Sequence, residues 1–253
     1  MAVGDSRVTN YDTIADKYDR RYTLHRYDGI RDTILSFLGS AERSAILEVG
    51  CGTGHWLQVM SGRARIVAGM DVSANMLSRA REAAPLASIV RARAEQLPWR
   101  AAAFDRIVCV NALHHFTDRE GFFAEARRIL ESGGGLLTIG LDPHTERDEW
   151  WVYDFFPETR AIDRARFVPV RIIRGEITKA GFAWAESFET DRLETQFSLR
   201  DAFPNGVERA FTSQLTVLTD AEFGAGLARM RDAGDDVRLT ADLRLYATLG
   251  WLS

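Results

Sequence analysis

The sequence predicts an α/β fold in which a mostly parallel sheet is covered by helices on both faces. Three observations predict it. Short apolar runs recur along the first half of the chain, at 45–49, 65–70, 104–110 and 136–140. Stretches of helical pattern such as 119–130 separate them, and that alternation belongs to parallel sheets. The first run ends in Glu48-Val49 and opens into Gly50-Cys51-Gly52-Thr53-Gly54, with glycine at every second position. Such a loop marks a buried strand turning sharply into a helix, where a ligand can lie against the main chain.

The later elements follow from the same reasoning. Ser73 stands where a helix N-cap is expected, ahead of Ala74-Asn75-Met76-Leu77. Residues 175–181 read as a helix, 182–190 as a strand and 242–249 as a final strand. A chain of 253 residues with 46% hydrophobic content buries one sizeable core, so a single domain over 1–253 is expected.

Composition excludes several classes of function. Net charge is −4, and no basic run interleaved with aromatics is present, which weighs against nucleic acid. Residues 1–10 lack an apolar stretch and no run is long enough to span a bilayer, so no membrane partner is expected. Cys51 and Cys109 read as two packed thiols in a reducing compartment, the cytoplasm. No His/Cys/Asp cluster has metal-ligand spacing, so no metal is expected. Oligomeric state is open.

The chemistry begins with two strand tips. Asp71 closes the second apolar run, and a carboxylate there can accept from both hydroxyls of a ribose. A nicotinamide-binding fingerprint would be G-x-G-x-x-G, and its third glycine would fall on His55. The spacing present is G-x-G-x-G preceded by Glu48. This resembles motif I of the class I S-adenosylmethionine-dependent methyltransferases, and Asp71 matches that family's ribose-binding acid. The stretch Arg91-Ala92-Arg93-Ala94-Glu95-Gln96-Leu97-Pro98 is similar to the family's Gly-Asp-Ala-Glu-x-Leu-Pro segment, with Arg93 where the adenine-binding Asp usually stands. Leu130-Glu131-Ser132-Gly133-Gly134 matches L-x-P-G-G with Ser132 replacing proline, and 104–116 resembles the fourth strand and its loop.

That resemblance implies a Rossmann-like, seven-stranded sheet and S-adenosyl-L-methionine as cofactor. It implies contacts to the cofactor from Glu48, Gly50, Cys51 and Gly52 of the glycine turn. It places Asp71 on the ribose, Val72 and Met76 against the adenine ring, Ala94 and Glu95 beside it, and Asn111 at the fourth strand's tip. Tyr11-Asp12-Thr13-Ile14-Ala15-Asp16-Lys17-Tyr18-Asp19 resembles the family's Y-D-x-x-A-x-x-Y-D opening, so Tyr11 and Tyr18 would lie on a lid helix over the cofactor. An amphipathic helix docked on the core by Ile14 and Tyr18 is the alternative.

The implied organisation is an N-terminal lid over 1–40 and a cofactor-binding core over 41–141. Cap and acceptor-binding insertions with the sixth strand follow over 142–236, then the final strand over 237–253. His115, and after it His114, sit where the family places residues near the methyl group and are candidate general bases, since imidazole titrates in the useful range. The aromatic run Trp150, Trp151, Tyr153, Phe155 and Phe156 either lines an acceptor pocket, suiting an apolar or aromatic small molecule, or forms the cap's own core. A tRNA-modifying methyltransferase, a nicotinamide oxidoreductase and a non-catalytic cofactor-binding regulator remain alternatives.

Overall fold

The computed structural model describes residues 19, 22, 25–40 and 42–253. Tyr11 and Tyr18 lie outside the described residues. Helix α1 (Asp28–Leu38) belongs to the stretch expected as a lid. It buries Ile30, Ile34, Phe37 and Leu38 against the sheet. Its first turn is pinned by the Ile30 amide, which donates to Asp191 Oδ2 at 3.1 Å.

The parallel half of the sheet is built as the apolar runs predict. It comprises β1 (Ala45–Val49), β2 (Ile66–Asp71), β3 (Ser88–Arg91), β4 (Phe104–Val110) and β5 (Leu130–Leu141). All five residues of β1 are buried, as a strand covered on both faces requires. Ile46 enters one hydrophobic cluster with Ile30, Leu57, Val108 and Leu137. Leu47 enters the opposite one with Ile107, Phe122, Phe123 and Leu136. Helices α2 (His55–Met60), α3 (Ala74–Ala83) and α4 (Arg119–Ile129) connect the strands. Ser73 caps α3 as expected, its hydroxyl accepting from the Met76 amide at 3.2 Å. Cys51 and Cys109 are buried, free thiols.

The carboxyl half departs from expectation in length and count. β6 (Glu149–Trp150) precedes α5 (Trp151–Phe155), α6 (Glu158–Arg166) and α7 (Val170–Lys179). The strands β7 (Trp184–Ser198) and β8 (Arg238–Trp251) each outrun the expected 182–190 and 242–249, because they pair antiparallel along their whole lengths. The register shifts between Glu189 and Asp191, at the residue where the sequence suggested an end, and the ladder then continues. Between β7 and β8 lie α8 (Leu199–Ala202), α9 (Ser213–Thr216) and α10 (Asp220–Ala233).

Strand order is β3-β2-β1-β4-β5-β8-β6, with β7 on the other edge of β8. The described residues therefore hold eight strands rather than seven. The additional one is the two-residue β6, which pairs with Ala241 and Asp242 on the edge of β8 that β5 leaves beyond Leu245. The order reverses between β1 and β4, and the crevice outside those strand ends is where such sheets take their ligands. No helix among the described residues is long and apolar enough to cross a membrane.

Candidate active site

The glycine turn leaves β1 folded back on β2. The Gly50 and Cys51 amides both donate to the Met70 carbonyl at 2.9 Å, and the Gly52 amide donates to Asp71 Oδ2 at 3.0 Å. Gly50 has φ 75°, and a Cβ built there would lie 2.3 Å from the Ala112 Cβ. Only glycine meets both constraints. Asp71 Oδ1 accepts from the Ser73 amide at 2.9 Å. These two bonds hold the Asp71 carboxylate in place at the tip of β2.

Above this turn lies a cavity of about 280 Å³. Glu48, Gly50, Cys51, Gly52 and Asp71 line it from the first two strand tips, and Val72 and Met76 from the start of α3. Ala94, Glu95, Asn111 and His115 complete the set, so the sequence-predicted cofactor residues within the described chain share one cavity. Sequence reasoning missed Tyr22, Thr53, Trp56, Phe116 and Thr117 on its wall. Thr53 lies inside the glycine motif, and its hydroxyl donates to Asp19 Oδ1 at 2.5 Å, tying Asp19 to the turn. Tyr22 stacks on His55 with ring centroids 3.7 Å apart.

Burial shapes the acids here. Glu48 is 1% exposed, and Oε2 has no hydrogen-bond partner among the described residues. Burial, and then the neighbouring Asp71, push its carboxyl well above the usual range despite a backbone hydrogen bond at Leu57. Burial, then Glu48 and Asp71, likewise push the Cys51 thiol well up, so it stays protonated.

Arg93, which replaces the expected acid, finds its partners locally. Its guanidinium reaches Thr117 Oγ1 at 3.2 Å and Glu95 Oε2 at 3.4 Å. Glu95 Oε1 in turn accepts from the Thr117 amide and hydroxyl at 3.1 and 2.9 Å. Burial opposes ionisation of Glu95, but the hydrogen bonds from backbone and Thr117, with Arg93, outweigh it and hold the carboxyl below its usual value. Glu95 therefore ties the 93–96 turn to the loop after β4.

Asn111 leaves β4 with φ 51° and lines the first cavity together with a second one of about 100 Å³. The second is walled by Trp150, Phe167, Leu193, Phe211, Leu243 and Leu245, with His25, His114 and Gln214 as polar groups. Of the aromatic run, Trp150 is buried in the core and also lines this cavity, whereas Trp151, Tyr153 and Phe156 are buried in the core and do not line it. The helical turn of α5 rotates them away.

The two histidines separate: His115 faces the first cavity, while His114 faces the second and stacks on Phe167 at 4.0 Å. The sequence-based expectation of a His115 titration near neutrality is corrected here. Burial, with Arg166 nearby, pushes this imidazole down to about 3. It is neutral through the physiological range and a feeble proton acceptor. The unfolded chain, with its imidazole near the ordinary value of about 6.5, binds more protons between the two values. His115 therefore contributes stability that is complete above about pH 6.5 and lost as pH falls toward 3. A His115→Gln protein is expected to show a flatter decline of thermal midpoint between about pH 6.5 and 4.5. An unchanged slope would contradict the burial argument.

Among the described residues no group of three or more His, Cys, Asp or Glu could hold a metal ion. Residues 47–138 match the family model described as a methyltransferase domain. Over 155 residues the chain is 26% identical to a demethylmenaquinone methyltransferase of Thermotoga maritima, covering 59% of this chain and 68% of the relative. Over 194 residues it is 28% identical to a malonyl-[acyl-carrier protein] O-methyltransferase of Methylovorus sp., covering 68% of this chain and 62% of the relative. The fold superposes with TM-score 0.61 on a phosphoethanolamine N-methyltransferase of Haemonchus contortus in complex with S-adenosyl-L-methionine. That superposition has 17% identity and covers 95% of this chain and 57% of the other. Residues 47–138 thus match a methyltransferase domain, and the strand order, the glycine turn and Asp71 in one crevice make the chain similar to the class I S-adenosylmethionine-dependent methyltransferases.

Proposed function

We propose that the chain transfers a methyl group from S-adenosyl-L-methionine to a small organic acceptor whose apolar or aromatic body occupies the second cavity. The observation that carries this reading is Asn111, which lines both cavities and so sets them side by side at the tip of β4. By its name one relative acts on demethylmenaquinone, which agrees with an acceptor that is an organic small molecule.

The residues of the first cavity fit the cofactor. The orphaned Glu48 Oε2 is an acceptor facing the cavity, suited to the ammonium of an amino acid tail. Gly50, kept bare of a side chain by the closeness of Ala112, presents main chain to the cavity. Asp71 would accept from the ribose hydroxyls, and Val72, Met76 and Ala94 would pack on the adenine. When bound, the sulfonium supplies an already activated methyl group. The protein's part is then positioning, which supplies most of the rate in such a displacement. With His115 neutral and weakly basic, no proton transfer is assigned to it, and it serves as part of the wall of the first cavity. The two free, buried cysteines favour a reducing compartment, the cytoplasm.

Calorimetry with S-adenosylhomocysteine and methyl transfer from S-adenosyl-L-methionine to hydroquinone and phenol acceptors test the reading. Binding at one site and product formation are expected. Thr212 also lines the second cavity, so Thr212→Trp, which fills it, should block transfer and leave S-adenosylhomocysteine affinity intact. Absence of binding, or undiminished transfer in Thr212→Trp, overturns the proposal. His115→Ala should retain the same pH-rate profile between about pH 6 and 9, and loss of a limb near neutrality would reinstate it as a base.

A further inference from the structure

The second cavity carries an imidazole that the proposed reading leaves idle. His25, just ahead of α1, lines this cavity together with Tyr27. Its Nδ1 shares a hydrogen bond with Thr195 Oγ1 of β7 at 3.4 Å, and its ring meets the Tyr27 ring edge-on at 5.9 Å. Nε2 makes no hydrogen bond with a described residue, yet it is not fully buried. The ring is therefore clamped at one nitrogen and open at the other.

Aromatic contacts lead from this ring back to the first cavity. Tyr27 meets Tyr22 edge-on at 5.4 Å and Trp56 at 6.4 Å, and both of those rings line the first cavity. His25 is thus one ring, Tyr27, away from the first cavity's wall. A cavity of about 100 Å³ is of the size that holds a single aromatic ring, so a ring bound there meets its walls on all sides. Burial pushes the His25 imidazole below its ordinary value, which keeps it neutral at neutral pH with a lone pair available. In the tautomer whose Nδ1–H donates to Thr195, that lone pair is on Nε2.

We propose that the methyl acceptor is a phenol-like hydroxyl compound and that His25 Nε2 is the base that takes its proton. The inference rests on the methyltransferase reading and names the substrate class and the base for it. The acceptor's O–H bond breaks and its proton goes to Nε2. The oxygen's electron pair forms the new O–C bond as the C–S bond breaks, and the departing pair stays on sulfur, which becomes neutral. A neutral hydroxyl is the acceptor that most needs such help, because a carboxylate arrives ionised and a neutral amine attacks with its own lone pair. A hydroxyl also has the proton that an accepting Nε2 binds, which a carboxylate lacks. Nucleophile, base and orienting group then stand in a row, with Thr195 as the orienter. Trp150, Phe167 and Phe211 suit the ring that carries the hydroxyl.

The test uses protein saturated with S-adenosylhomocysteine, titrated with phenol and with fluorobenzene, which has a similar shape and donates no hydrogen bond. Phenol is expected to bind about fivefold more tightly or better, as for one neutral hydrogen bond. His25→Phe keeps a ring against Tyr27 and should erase that preference, while S-adenosylhomocysteine affinity stays within about twofold. His25→Gln keeps a hydrogen-bonding group without a base and serves if His25→Phe does not fold. In His25→Gln, turnover of phenol relative to thiophenol, which is largely ionised at neutral pH, should fall about 100-fold. Equal affinity for phenol and fluorobenzene in the parent, binding of neither included, overturns the inference, as does an absence of phenol methylation. A preference that survives in His25→Phe overturns it too and would give the hydroxyl to another wall group such as His114. Equal losses with phenol and thiophenol in His25→Gln overturn it as well, since a base is needed by only one of them. Failure of the parent to bind S-adenosylhomocysteine overturns the methyltransferase reading and this inference with it, whereas binding without a phenol preference overturns this inference alone.

Discussion

S-Adenosylhomocysteine affinity is expected to fall by more than about 100-fold in a Gly50→Ala protein, the largest loss from any single methyl group in this chain. Two separate costs meet at this residue. The left-handed backbone at φ 75° costs an alanine about 1 kcal/mol. The new Cβ would also stand 2.3 Å from the Ala112 Cβ, far inside van der Waals contact. Relief requires the loop after β4 to move, and that loop carries Asn111, His115 and Phe116 of the cavity wall. Pairing Gly50→Ala with Ala112→Gly removes the overlap and leaves the backbone cost. The double variant should therefore recover most of the lost affinity, a coupling that calorimetry on the four proteins would measure. A Gly50→Ala protein that binds like the parent would show that the turn does not seat the cofactor.

Asp71→Ala carries the second-largest expected effect, a loss of about 1.5–3 kcal/mol in S-adenosyl-L-methionine binding. The carboxylate is a shared acceptor. It holds the Gly52 and Ser73 amides at 3.0 and 2.9 Å, and in the proposed reading it also takes the ribose hydroxyls. Removing it releases the glycine turn and the start of α3 as well as the ligand, so thermal stability should fall with affinity. Asp71→Asn keeps one oxygen acceptor and should lie between the two. Unchanged affinity in Asp71→Ala, measured by calorimetry, would remove Asp71 from the site.

These two residues were legible in the sequence because their work is local. The turn around Gly50 and the carboxylate of Asp71 are each specified within a few residues of an apolar run, and the strand order brings the runs together. Arg93 was not legible, because one of its partners, Thr117, stands on a loop after the next strand. The basicity of His115 was misjudged for a related reason. An imidazole in a sequence has its ordinary titration, and only packing, with Arg166 from a cap helix, pushes it down to about 3. The run 148–157 declared its aromatic content but not the turn of α5 that puts Trp150 on the cavity wall and keeps Trp151, Tyr153 and Phe156 off it. The lengths of β7 and β8 were underestimated because Glu189, Thr190 and Asp191 look like a strand end, while the structure absorbs them as an irregularity in register.

The place of β8 also fixes an order of assembly. It lies between β5 and β7, so an interior strand of the sheet leaves the ribosome after every other described strand. A nascent chain ending before residue 238 already holds β1 to β5 and the described wall of the larger cavity. Its β5 then shows an open edge from Gly135 to Leu141, a template for unwanted pairing. The smaller cavity takes Leu243 and Leu245 from β8 and cannot close until that strand inserts. In the proposed reading, room for the nucleoside therefore forms on the nascent chain before the acceptor cavity does.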